Sequence, residues 1–388
     1  GGSVPPIDLS ELLGPFTSTT ANNTIIPTNT AGNTNTAMWS TVAGGTGNTI
    51  NSKFSFIGGG DNNYVDSNGS YYTSIVGGQD NVGYGSSETF IGGGQGNKTY
   101  GSNHTSIVGG KGNLTGRDRY SSIVGGSGNT IGNPQGFFGT CFGNFIGGDL
   151  EDLPSNSSIV NGGAPYWALR SEGNSINFAS QSFIGSGINN RIVGAGFSSF
   201  VYSNSVIVGG IDNTINRPSS PLEVDNVKSN NIIGGGSSNT ISFTSGGFIG
   251  GGTSNSLSGT SGGEPVDSVV VGGTMNNIVT SSNSFIRGGY KNNILRSSSP
   301  TRYSFIGGGH LNTVTDSFNS SIVGGSGNSV NENYSFIGGG RGNNINDGLE
   351  SSIVGGVSNT INDSMISFIG GGINNTISGG SDHSSIVG

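Results

Sequence analysis

Along most of the chain, aliphatic residues recur at two fixed phases between polar and glycine-rich stretches, and successive copies lie about sixteen residues apart. One copy reads Ser55-Phe56-Ile57-Gly58-Gly59-Gly60, followed by Asn63 and Val65; another reads Ser351-Ser352-Ile353-Val354-Gly355-Gly356, followed by Asn359 and Ile361. Three residues before the last glycine of each block stands Ile or Val, as in Val42, Ile57, Ile75, Ile91, Ile146, Ile184, Ile337 and Ile369. That position points into a core. Side chains alternate along a strand, so the Ser or Thr two residues earlier (Ser55, Thr73, Thr89, Ser335) faces the same way. A second inward position follows, at Ile50, Val65, Ile131, Ile241, Val314 and Ile361. Each period thus predicts two short strands, and the series predicts an all-β parallel β-solenoid of about 20 coils. Insertions after Val65, Ile131, Ile215, Leu257 and Ile294 all fall at one loose corner, while the Gly-Gly-x-x-Asn corner stays tight with one exception, the Gly163-to-Gly173 segment that delays Asn174.

The Asn of that tight corner recurs as Asn63, Asn97, Asn129, Asn239, Asn312, Asn343 and Asn375. Glycine tolerates positive φ, an Asn amide bonds nearby turn backbone, and stacked amides bond one another in a ladder. Turn chemistry is therefore preferred to a row of ligand-binding amides.

The residues flanking the core Ile point outward, yet they are not polar. Phe56, Phe90, Phe183, Phe336 and Phe368 each stand two residues before a Gly, and Phe305 occupies the same phase. In other coils a Ser precedes Val76, Val108, Val124, Val323 or Val354. Large beside small, swapped from coil to coil, fills a flat surface without overpacking. So long an exposed apolar stripe exceeds what a monomer usually tolerates. Self-association through this face is predicted, as a parallel homo-oligomer whose identical coils meet at identical heights. The alternative is a three-sided monomeric helix that encloses its own Phe rings.

Composition narrows the picture. With 76 glycines in 388 residues, 9% charged and 30% hydrophobic, the chain cannot build a conventional globule. The fixed phase of Ile and Val equally excludes disorder. The period begins near Ser40, so residues 1–39 are read as an N-terminal docking segment and linker, and 40–388 as the solenoid body with an irregular insertion at 132–173. Asp8-Leu9-Ser10-Glu11 has capping-box spacing for a short helix, and Thr17 to Ala37 is linker-like. The lone Cys141 precludes an internal disulfide framework. No apolar run is long enough to insert in a membrane, no signal-peptide pattern opens the chain, and a net charge of -8 argues against nucleic acid.

Candidate chemistry collects in the insertion. Asp149, Glu151 and Asp152 could supply the carboxylate pair a polysaccharide-cleaving enzyme needs, but acidic residues in one loop are more often solvated, so no enzymatic activity is expected. Tyr166, Trp167 and Arg170 are candidate contacts for a receptor or glycan, with packing against the body as the alternative. His104, His310 and His383 lack metal-ligand spacing, and no glycine block ends in Gly-Lys-Ser/Thr, so no metal or cofactor is expected. Ice binding would want a regular outward Thr row, whereas Thr49, Tyr64, Lys98, Asn277 and Thr360 share that phase.

The motif Ser-x-Ile-x-Gly-x-x-x-Asn-x-Ile resembles the head repeats of trimeric autotransporter adhesins of the YadA type, over roughly Ser40 to Gly388. Glycine-rich Ile-Gly-Gly-Gly repeats are also similar to fibre proteins of large viruses and their hosts. The resemblance implies a left-handed β-roll, three chains side by side and a role in surface attachment. This chain differs in its Ile at the inward position, longer period and turn Asn. The combined expectation is a structural, adhesive protein of a cell or virion surface, extracellular, homotrimeric, binding a receptor or glycan through edge loops. The alternative is a filament subunit stacked end to end.

Overall fold

The computed structural model describes residues 16–19, 24–27, 32–132, 141–142, 145–147, 174–177, 182–193, 204–216, 230–259, 267–296 and 301–388. The chain divides into two compact units, Gly1–Asn177 and Phe178–Gly388. Each is a parallel β-solenoid with coils of about 16 residues, and the described residues make about 17 turns.

In the first unit one ladder stacks Thr41–Val42, Phe56–Ile57, Ser74–Ile75, Phe90–Ile91, Ser106–Ile107, Ser122–Ile123 and Phe145–Ile146 in parallel register. Phe145–Ile146 lies within the stretch anticipated to be irregular and still keeps its place. The other ladder stacks Thr34–Asn35, Thr49–Ile50, Tyr64–Val65, Val82–Tyr84, Lys98–Tyr100, Leu114–Gly116 and Thr130–Gly132. The second unit repeats the arrangement, one ladder running from Phe183–Ile184 to Ser385–Ile386 and the other from Arg191–Val193 to Thr376–Ser378. The anticipated Ile rows form the core: Ile57, Ile75, Ile91, Ile241, Ile337 and Ile361 are fully buried. Between them the coil is filled by short polar side chains, Asn at one corner and Ser or Thr at the other.

A backbone regularity underlies this. Asp80, Glu88, Gly96, His104, Gly112, Tyr120 and Gly128 all have φ between 54° and 66°, so the chain turns through the left-handed region every eighth residue although the sequence repeats every sixteenth. Each coil is thus two half-coils of like geometry. At both corners a single residue pairs with the next coil, as Gln79 does with Gln95 and Ser87 with Asn103, which adds two one-residue bridges to the two strands expected from the sequence.

Within residues 17–37, linker-like by composition, the described segments carry strands. Phe16–Thr19 and Thr24–Pro27 form an antiparallel pair, Ile25 lies opposite Thr41 in the first ladder, and Thr34–Asn35 opens the second. The edge of an adjacent coil is a ready template for such segments even where their own pattern is weak. The short helix anticipated at residues 8–13 lies outside the described residues.

Candidate interaction surfaces

The outward positions of the first ladder form an apolar face in each unit. Phe56, Phe90, Phe336 and Phe368 are each a little over one third exposed (38% for Phe56), and Val76, Val108, Val124, Val323 and Val354 about half (49% for Val76). Phe183 and Phe305 are half-buried, the Phe305 ring stacking on Phe285 at 5.7 Å. The rings therefore lie outside the coil, which overturns the alternative of a helix enclosing them. The covariation also has a cause within the chain. A Cβ on Gly58 would sit 3.2 Å from Cε1 of Phe56 and would collide with the Val76 carbonyl oxygen of the next coil; Gly92 and Gly338 repeat the arrangement with Phe90 and Phe336. Each ring lies across its own glycine, so Phe-x-Gly and Ser-x-Val coils reach a similar height and the face is levelled without help from a second molecule.

The second ladder presents the opposite character. Thr313, Ser329, Asn344, Thr360 and Thr376 point outward in successive coils of the second unit, and beside them Asn331, Asn346 and Asn362 bond one another at 3.1 and 2.9 Å. In these coils that surface is polar and uncharged, with Thr only one of its residue types, whereas Lys98 and Arg191 stand exposed on the same ladder of the first and second units.

The corner asparagines are interior. Asn63, Asn97, Asn129, Asn239, Asn312 and Asn343 have no exposed surface, and Asn375 is half-buried near the end of the chain. The Asn343 amide donates to Gly339 O at 2.8 Å within its own turn and to Gly356 O at 3.1 Å in the next coil. Its oxygen accepts from the backbone N–H of Asn359 at 3.0 Å. Asn63 repeats the pattern with Gly59, Gly78 and Asn81. In Asn63 and Asn343 donors and acceptors alike are consumed inside the solenoid, so these amides tie coil to coil.

At the loose corner of the first unit the left-handed position just before the inward Ser or Thr is filled by Trp39, Phe54, Tyr72, Glu88, His104 and Tyr120, with φ of 54° to 56°, and Gly69, Gly85, Gly101 and Arg117 pass through the same region a few residues earlier. The same conformation at the tight corner of those coils is filled by Gly47, Asn62, Asp80, Gly96, Gly112 and Gly128. Glycine, Asn and Asp adopt it cheaply, whereas other side chains lose roughly 1–2 kcal/mol there. Trp39 stacks on Phe54 at 4.9 Å, Phe54 on Tyr72 at 5.0 Å, and His104 on Tyr120 at 4.8 Å. A stacked pair returns about 0.5–1.5 kcal/mol, so stacking at best offsets the strain. Glu88 meets His104 at 2.6 Å in an exposed ion pair, a type that contributes little. Beside this column Tyr84 stacks on Tyr100 at 4.9 Å, and the Tyr84 hydroxyl accepts from Asn68 at 2.8 Å. Burial pushes the Tyr64 hydroxyl above its usual range; its hydrogen bond to Asp66 reinforces the shift, and one from Asn51 opposes it.

Tyr166, Trp167 and Arg170, with Asp149, Glu151 and Asp152, lie outside the described residues. Cys141 does not: Cys141–Phe142 pairs with Asp118–Arg119. Among the described residues no group of three or more His, Cys, Asp or Glu is placed to hold a metal ion, and no helix is long and apolar enough to cross a membrane. The bulky column at the loose corner was missed in the sequence, although each of its members immediately precedes an inward Ser or Thr. No protein-family model and no curated protein matches this chain, so its surfaces are interpreted from their geometry.

Proposed function

We propose that this chain is a non-enzymatic structural protein of a cell or virion surface, which self-associates through its Phe/Val face and attaches through its loose edge to a receptor or glycan. The observation that carries the reading is the exposed apolar column along the first ladder of each unit. A levelled face at constant coil spacing is the surface a second copy covers most completely, because identical coils then meet at one height along its whole length. Cyclic symmetry brings the Phe column of one chain against the Gly/Val column of its neighbour, which pairs Phe with Gly and Ser with Val in the coils that carry those two patterns, while coils such as Val206-Ile207-Val208 and Phe285-Ile286-Arg287 depart from them. Three copies around one axis is the arrangement we favour. A second ladder with outward Thr, Ser and Asn in its last coils, and with Lys98 and Arg191 exposed in others, is suited to facing water.

The test is the mass in solution. Light scattering on the full chain is expected to give a multiple of 39.0 kDa, three times that value for the favoured assembly. Replacing Val323 and Val354 together by Lys places unpaired charges in the covered face and is expected to disperse the assembly at least tenfold more readily on dilution, with the β-rich circular dichroism spectrum retained. A wild-type mass of one chain at all concentrations would remove the self-association reading. Electron microscopy of the same sample separates discrete rods from end-to-end filaments.

A further inference from the structure

The loose corner of the first unit raises a question that folding alone leaves open. In the same coils, and in the same left-handed backbone conformation, the tight-corner position uses Gly, Asn or Asp throughout, while the position just before the inward Ser or Thr uses none of them, and Gly69, Gly85 and Gly101 serve only earlier in the loose corner. The six side chains at that second corner are exposed, from 39% for Phe54 to 62% for Tyr120 among the aromatics. Their mutual stacking does no more than compensate for the strained conformation, and residues held in such conformations concentrate at functional sites. Any of the tight-corner residue types would relieve the strain and remove exposed aromatic surface.

We propose that Trp39, Phe54, Tyr72, Glu88, His104 and Tyr120 form a rail that binds a linear, uncharged polysaccharide laid along the solenoid edge. This names the ligand class for the attachment part of the preceding reading and rests on it, while remaining independent of the self-association part. Three features select the ligand. The rail is narrow, a single column with Tyr84 and Tyr100 beside part of it, and runs for roughly 25 Å at a spacing of 4.8–5.0 Å per coil, close to the rise of one sugar unit in an extended chain. A globular protein partner needs about 800 Å² on each side, some 20–30 residues, which a single column cannot supply. The single carboxylate of the rail, Glu88, already faces His104 at 2.6 Å, so the column offers an ionic partner little, whereas ring edges and Tyr hydroxyls suit the alternating C–H and O–H surface of sugars.

The experiment is affinity electrophoresis of the full chain in native gels cast with a soluble β-1,4-glucan, a β-1,3-glucan, a galactomannan or, as the charged comparison, a polyuronate. The variant carries Trp39→Asn, Phe54→Asn and Tyr72→Asn together. Asn tolerates the left-handed conformation, so the coils are expected to keep their shape and their melting temperature. Wild type is expected to be retarded by at least one neutral polysaccharide, and the variant to bind it at least tenfold more weakly with unchanged mass by light scattering. The proposal is overturned if no neutral polysaccharide retards wild type, if only the polyuronate does, or if the variant is retarded equally. A large drop in melting temperature would make the rings structural, and a drop in mass would make the rail a contact between copies; either result also overturns it. A monomeric wild type that is still retarded would sink the self-association reading and leave the rail intact.

Discussion

Replacing Asn343 by Ala is expected to lower stability by roughly 3–5 kcal/mol, although no exposed surface changes. The amide donates to Gly339 O and Gly356 O, and its oxygen accepts from Asn359. Truncation leaves the half-buried Gly339 carbonyl and the buried Asn359 N–H without this partner, and takes one of two donors from Gly356 O, which keeps the Arg341 N–H, and an acceptor from the Asn359 amide; each unsatisfied group costs about 1–3 kcal/mol. A comparison within the same coil isolates the cause, since Asn344 is next in sequence but points outward and is only half-buried. Asn344→Ala is expected to stay within about 0.5 kcal/mol of wild type. Urea midpoints compare the two, and hydrogen exchange is expected to find the added opening in the coils around Asn343. Equal midpoints would show that the amide ladder does not hold the coils together.

Gly356→Ala is the second large effect, expected at roughly 2–4 kcal/mol from strain and overpacking together. Gly356 has φ of 92°, and a Cβ there would collide with Gly372 O of the next coil. The backbone cannot yield without opening the coil spacing that every ladder bond depends on. Its neighbour provides the internal control. Gly355 has ordinary φ and open space around its Cβ position, so Gly355→Ala is expected to be neutral or to stabilise by a few tenths of a kcal/mol through the unfolded chain. Thermal melts of the two variants separate these cases. A Gly356→Ala protein as stable as Gly355→Ala would contradict the close approach.

Much of the architecture was legible because the inward rows carry their own signature. Ile57, Ile75 and Ile91 recur in phase because a coil this thin accepts little else at its centre, and Asn63 recurs because only an amide of that length reaches both its own turn and the next coil. What was illegible depends on contacts between neighbours rather than on residue type. The Phe56 ring lying over Gly58 looks, in sequence, the same as a large residue awaiting a partner. Trp39, Phe54 and Tyr72 are among the last residues one would assign to positive φ, so no propensity exposes their corner. Only the equivalence of the half-coils does, by setting them beside Gly47, Asn62 and Asp80. Near the N-terminus, Thr24–Pro27 joins the ladder on the strength of the adjacent strand, and its Thr/Asn-rich surroundings hide it.

The constant register between coils governs how the protein is made. Ser352 pairs with Phe368 and Asn344 with Thr360, so most contacts close a loop of about sixteen residues whichever coil is considered. Loop-closure entropy grows only slowly with that length, so the wider steps, as from Ile131 to Ile176 or Val206 to Ile232, add little to it. Folding then has no privileged nucleus: a pair of adjacent coils formed anywhere can template its neighbours in both directions, and a newly synthesised chain can fold as it emerges, one coil behind the ribosome.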